Sequence, residues 1–152
     1  MRFNHLYSAV LIDLSFSENI TSRIIGGKYA KKDEFPWMVL VANEVSYCGG
    51  SLLTPNWILS AEHCYNNLMD TTVYYGLYDK TKPDNIQFRS VAAADIHRHP
   101  QHDIALLYAR NAFNIDSNQH FPYLNTETLS TEKILTALGW GATESSRELP
   151  RV

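Results

Sequence analysis

Seven short apolar or alternating runs, spaced about ten residues apart, constrain this chain more than any other feature of its sequence. They cover residues 37–41, 51–53, 57–59, 72–75, 88–93, 104–108 and 134–138. Turn formers stand between them: Pro36, Gly49-Gly50, Pro55-Asn56, Gly76, Pro83-Asp84-Asn85, Pro100 and Pro122. A run of four or five residues is too short for a packed helix and the right length for a strand. No helical stripe of three or more turns stands out, and residues 61–64 offer one helical turn at most. Many short strands with turns between them predict an all-β sandwich or barrel.

Composition narrows the class of partner. The 152 residues suffice for one domain with a real core, and 45% hydrophobic against 19% charged content predicts a folded chain. A net charge of −3 and a pI near 6.0 leave no basic footprint for nucleic acid. No apolar run reaches the roughly eighteen residues of a membrane span. The first residues carry Arg2 and then the apolar stretch 6–17, the outline of a secretory signal interrupted by Asp13. Asn19-Ile20-Thr21 fits a glycosylation sequon, a pattern too short to weigh much.

The densest stretch is WILSAEHCY, residues 57–65, which sets His63 directly before Cys64. Three readings fit it: a metal ligand pair, a buried core histidine, or a catalytic base pinned by a disulfide. Cys48 and Cys64 are the only cysteines. Paired in an oxidising compartment, they close a loop of about sixteen residues, for roughly 3 kcal/mol in the chain-entropy model. A zinc site from Cys48, His63 and Cys64 fits ligand chemistry but no familiar spacing. His97, His99 and His102 form a second candidate metal run, or a surface loop that happens to be rich in histidine.

Six motifs follow one another along the chain: Arg23-Ile24-Ile25-Gly26-Gly27, Pro36-Trp37-Met38-Val39, Cys48-Gly49-Gly50-Ser51-Leu52-Leu53, residues 57–64, His102-Asp103-Ile104-Ala105-Leu106-Leu107, and Gly139-Trp140-Gly141-Ala142-Thr143. Each is modest alone. In this order they resemble the N-terminal part of a trypsin-like, chymotrypsin-fold serine protease, over residues 23 to about 143.

The resemblance implies roles. His63 matches the family's general-base histidine and Asp103 the carboxylate that holds its tautomer. Cys64 matches the cysteine that ties this loop to Cys48. Arg23 matches the zymogen cleavage point, so an activating protease cutting after Arg23 would expose Ile24. The family also implies secretion, peptide or protein substrates and no cofactor. A calcium loop, present in some relatives, would fall at residues 76–85, where only Asp79, Asp84 and Asn85 offer side-chain oxygens. The expected organisation is a signal and propeptide at 1–23, the first antiparallel β-barrel at 24–126, and a linker with the beginning of a second barrel at 127–152.

Three departures qualify it. No Gly-Asp-Ser-Gly-Gly string occurs, and Ser145 and Ser146 lack the glycines of the nucleophile's usual context. The nucleophile, the oxyanion hole and the specificity pocket are thus expected to be missing, with a second barrel only begun and no proteolysis by these residues alone. The segment before Asp103 is shorter than relatives carry. Glu62 replaces a small residue, either as a neutral surface variant or as a charge favouring the His63 imidazolium. The leading expectation is a serine endopeptidase carrying His63 and Asp103. The alternatives are a non-catalytic homologue that binds a partner, and a metal-binding domain built on the histidine run.

Overall fold

The computed structural model describes residues 29–44, 46–65, 69–79, 86–117, 119–126 and 135–140. Arg23, Ile24, the possible signal and sequon, residues 80–85 of the calcium-type loop, Ile134, and Ser145 and Ser146 lie outside them.

The described chain is all-β, as the short runs predict. Its strands are β1 (Met38–Ala42), β2 (Tyr47–Leu52), β3 (Trp57–Ser60), β4 (Thr71–Tyr75), β5 (Gln87–Val91), β6 (Ile96–Arg98) and β7 (Ala105–Tyr108). They form one antiparallel sheet in the order β5-β4-β1-β2-β3-β7-β6. Its two end strands, β5 and β6, are joined by residues 92–95 alone, which include the single 3-10 turn Ala93–Asp95. So short a link keeps the two end strands within a few residues' reach of each other, and the sheet curls into a half-barrel with no ladder between β5 and β6 among the described residues.

Strand periodicity fills the interior. Thr71, Val73 and Tyr75 are buried on β4, while Thr72 and Tyr74 between them are half-exposed. Ala105 and Leu107 do the same on β7, and Ile58 and Ser60 on β3. With Val39, Val41, Leu52 and Val91 the apolar members of these sets make one core. Burying a side chain of this size contributes roughly 1.5–3 kcal/mol, so this core holds the sheet curled.

Two sequence expectations change. Gly49 and Gly50, read as turn residues, lie inside β2, paired with Leu40 and Val39 of β1. Gly50 is there for space. A Cβ on it would stand 3.0 Å from the Leu59 carbonyl oxygen and 3.0 Å from Val39 Cγ2, whereas one on Gly49 meets nothing within 4 Å. Gly50→Ala should therefore destabilise the chain by about 1–3 kcal/mol through overpacking, and Gly49→Ala by no more than about 0.5 kcal/mol. Denaturant midpoints of the two variants check the contrast. Second, β6 was not expected, because Ile96 is half-buried while His97 and Arg98 are exposed, so three edge residues carry no alternation. Of the expected last strand, only Thr136 among the described residues makes a ladder bridge.

Candidate active site

His63 and Asp103 are forty residues apart in sequence and are delivered to one place by strand pairing. β3 and β7 are antiparallel neighbours, with Ser60 opposite Ala105. The chain leaving β3 and the chain arriving at β7 therefore share one end of the ladder. His63 follows Ser60 by three residues and Asp103 precedes Ala105 by two. After Ser60 the backbone turns through the 3-10 segment Glu62–Cys64, whose Tyr65 N–H closes on the Glu62 carbonyl at 3.1 Å.

The pair is held three ways. Asp103 Oδ1 accepts from the His63 backbone N–H at 2.9 Å. His63 Nδ1 lies 3.0 Å from both Oδ1 and Oδ2. A carboxylate can only accept, so Nδ1 carries the ring proton and Nε2 keeps its lone pair. The His63 backbone N–H is the largest influence drawing the Asp103 carboxyl below its ordinary range, joined by the imidazole. The side chains remain 39% and 36% exposed, so this stabilisation is screened by solvent. Nε2 faces Cys64 Sγ at 3.4 Å.

Other groups fix the turn. A disulfide joins Cys48 of β2 to Cys64. In the β1–β2 connection, Asn43 Nδ2 donates to the Cys64 carbonyl at 2.9 Å and Asn43 Oδ1 accepts the Ser46 backbone N–H, while the one hydroxyl proton of Ser46 is shared between that carbonyl at 3.2 Å and Asn43 Oδ1 at 3.0 Å. Arg98 of β6 reaches from the other side: its Nη1 is 3.1 Å from Glu62 Oε1 and 3.4 Å from the Tyr65 carbonyl. Glu62 thus serves Arg98, which places its charge in an ion pair rather than leaving it solely to His63. Beside this strap an open cleft of about 600 Å3 is lined by Glu62, Arg98, His99, Gln101, His102 and Asp103, with Pro100.

The histidine run does not converge. His97 packs on Trp57 with ring centres 5.6 Å apart. The rings of His99 and His102 are tilted by 36° to each other with centres 4.6 Å apart. His99 Nδ1 accepts the backbone N–H groups of Gln101 and His102 at 3.1 and 3.0 Å. That tautomer puts the ring proton on Nε2, where a metal would need a lone pair. Cys48, His63 and Cys64 do come within 4.8 Å of one another, but both sulfurs are committed to the disulfide and offer no thiolate. Asp79 is the one described member of the calcium-type oxygen set, and Gly76 turns the chain there with φ of 80°.

The family profile described as Trypsin matches residues 24–152. The chain belongs to the trypsin family. Among curated trypsin-family relatives, kallikrein 1-related peptidase b27 of Mus musculus is 36% identical over 129 residues, covering 81% of this chain and 44% of the relative. Coagulation factor IX of Oryctolagus cuniculus is 32% identical over 112 residues, covering 68% and 41%. Trypsin I-P1 of Gallus gallus is 28% identical over 163 residues, covering 98% and 62%. The chain therefore spans about two-fifths to three-fifths of the length of these relatives. The curled seven-stranded antiparallel sheet is consistent with the family's first barrel. Asn43, Ser46 and Arg98 went unnoticed in the sequence, since an Asn-x-x-Ser turn and a basic residue on a short edge strand look like ordinary surface.

Proposed function

We propose that this chain supplies the acid–base half of a trypsin-type serine endopeptidase. His63 Nε2 is the general base that takes the proton of a serine hydroxyl and later returns it to the leaving amine. Asp103 keeps the imidazole in the Nδ1–H tautomer and stabilises the imidazolium. This division of roles is the family's own. The observation that supports it is the doubled contact of Asp103 with the His63 backbone and ring, across forty residues of sequence. The substrate is a peptide or protein, and the barrel's disulfide suits an extracellular compartment. A protease that cuts after Arg23 would expose Ile24 as the new N-terminus.

The nucleophile belongs outside these 152 residues, so the chain by itself should hydrolyse a peptide ester no faster than buffer. Labelling of the complete gene product with a fluorophosphonate tests the function. The expected result is one modified serine outside residues 1–152, with labelling abolished in His63→Ala. A complete product that resists the label and still captures a protein partner would overturn the proposal in favour of a non-catalytic binding module.

A further inference from the structure

We propose that the Cys48–Cys64 bridge is a directional thiol–disulfide exchange site, which takes a small thiol or dithiol at Cys48 and releases Cys64 as a thiolate held by His63. Three observations converge on this. The two sulfurs differ in access: Cys64 is 3% exposed, whereas Cys48 is only partly buried at the edge of the core. They also differ in what lies beside them, because His63 Nε2 stands 3.4 Å from Cys64 Sγ. Finally, Asp103 fixes the imidazole proton on Nδ1, which leaves Nε2 unprotonated in the neutral ring, 3.4 Å from that sulfur.

Exchange proceeds by attack of a thiolate on one sulfur with departure of the other, and a more acidic leaving thiol departs faster. The incoming thiolate forms a bond to the accessible Cys48 sulfur. The S–S bond breaks, and its electron pair leaves on Cys64 Sγ. A solvent proton on Nε2 converts the pair to a thiolate–imidazolium, with Asp103 neutralising the ring from its far side. The second thiol of a dithiol, or a second monothiol, then displaces the first sulfur from Cys48. The reductant is oxidised to its own disulfide by two electrons, and Cys48 is left as a thiol. The remaining ionisable groups around the turn do not compete for Nε2. Glu62 is paired with Arg98, and burial pushes the Tyr65 phenol upward, so it stays neutral.

The reduced state is a Cys64–His63–Asp103 series with sulfur where a hydroxyl nucleophile would otherwise engage the imidazole. An imidazolium bound to a thiolate has no lone pair for another proton. Reduction would therefore remove His63 from general-base duty without disturbing its contact with Asp103.

The test uses the whole 152-residue chain and needs no hydrolysis. Incubation with reduced glutathione at pH 7, acid quenching and peptide mapping should find the mixed disulfide on Cys48 and the free thiol on Cys64. His63→Gln cannot hold the imidazolium and should slow exchange about tenfold, as a loss of about two units in leaving-thiol acidity implies. Asp103→Asn should slow it by a smaller factor, which keeps the result readable if the glutamine variant folds poorly. In the fully reduced chain, thiolate absorbance should show one of its two steps well below the ordinary thiol value near 8.5. Glutathione divided equally between the two cysteines, wild-type exchange rates in both variants, or two thiolate steps at the ordinary value would each overturn the proposal. A preference for Cys48 that came from access alone would survive His63→Gln unchanged in rate, so that outcome also counts against it.

Discussion

On the proposed function, Asp103→Asn is expected to cut kcat of the complete gene product about 10^4-fold, the loss the same change causes in a trypsin-type triad, while the barrel stays folded. The hydrogen bonds of this chain give the reason. Asp103 Oδ1 serves the His63 backbone N–H at 2.9 Å as well as the ring. An asparagine must keep its one oxygen on that backbone donor, which turns its amide group toward Nδ1. Nδ1 must then accept, the ring proton moves to Nε2, and the base has no lone pair for a serine hydroxyl. Ring 15N shifts of His63 in the 152-residue chain report the tautomer directly, and they should switch from Nδ1–H to Nε2–H. A ring that stays Nδ1–H in the asparagine variant would sink this account. His63→Ala should cost more, on the order of a million-fold in kcat.

The same carboxylate gives the barrel a small acid sensitivity. The folded-state pKa of Asp103 lies below its unfolded value, chiefly through the His63 backbone N–H. Its contribution to stability is therefore complete above the ordinary carboxylate range and is lost as pH falls through the depressed value. Exposure keeps that contribution small. In the asparagine variant this part of the acid dependence should vanish.

The strands were legible where they were half-buried and long enough to alternate. The runs 72–75 and 104–108 are visible as short stretches of apolar and β-forming residues between turn formers, and they cover most of β4 and all of β7. β6 was illegible, since edge position leaves His97 and Arg98 in solvent and no pattern marks the strand. The glycines of β2 misled because a sequence cannot distinguish a glycine needed for a turn from one needed for a close approach. At Gly50 it is the approach of Val39 and Leu59 that decides. The candidate site was visible through motifs at His63 and Asp103. Its supports were not, because Asn43, Ser46 and Arg98 act through carbonyls, and a backbone oxygen leaves no mark on side-chain pattern. The histidine run showed ligand-type residues but not tautomers, and the tautomer of His99 is set by two backbone N–H groups that only the folded turn brings to it.

Leu107→Ala should be the most destabilising single core change, at about 2–5 kcal/mol. Leu107 is fully buried and sits opposite Ile58 of β3 on one side and Ile96 of β6 on the other. Truncating it opens a void between the strand that leads to His63 and the strand that follows Asp103. Neighbours fixed in two ladders have little freedom to collapse into that void, which places the cost toward the upper end. A domain of this size holds only about 5–15 kcal/mol in total, so a third or more of its stability rests on this side chain. Leu106→Ala, one residue away but half-exposed on the other face, should cost about 1 kcal/mol. Guanidinium midpoints at unchanged m-value measure both. The comparison also separates two ways of placing the site. Asp103 touches His63 directly, so the folded fraction of Leu107→Ala should retain the Nδ1–H signal of His63 even as the midpoint falls. If the signal is lost in step with stability, the ladder register rather than the carboxylate contact sets the position of the imidazole.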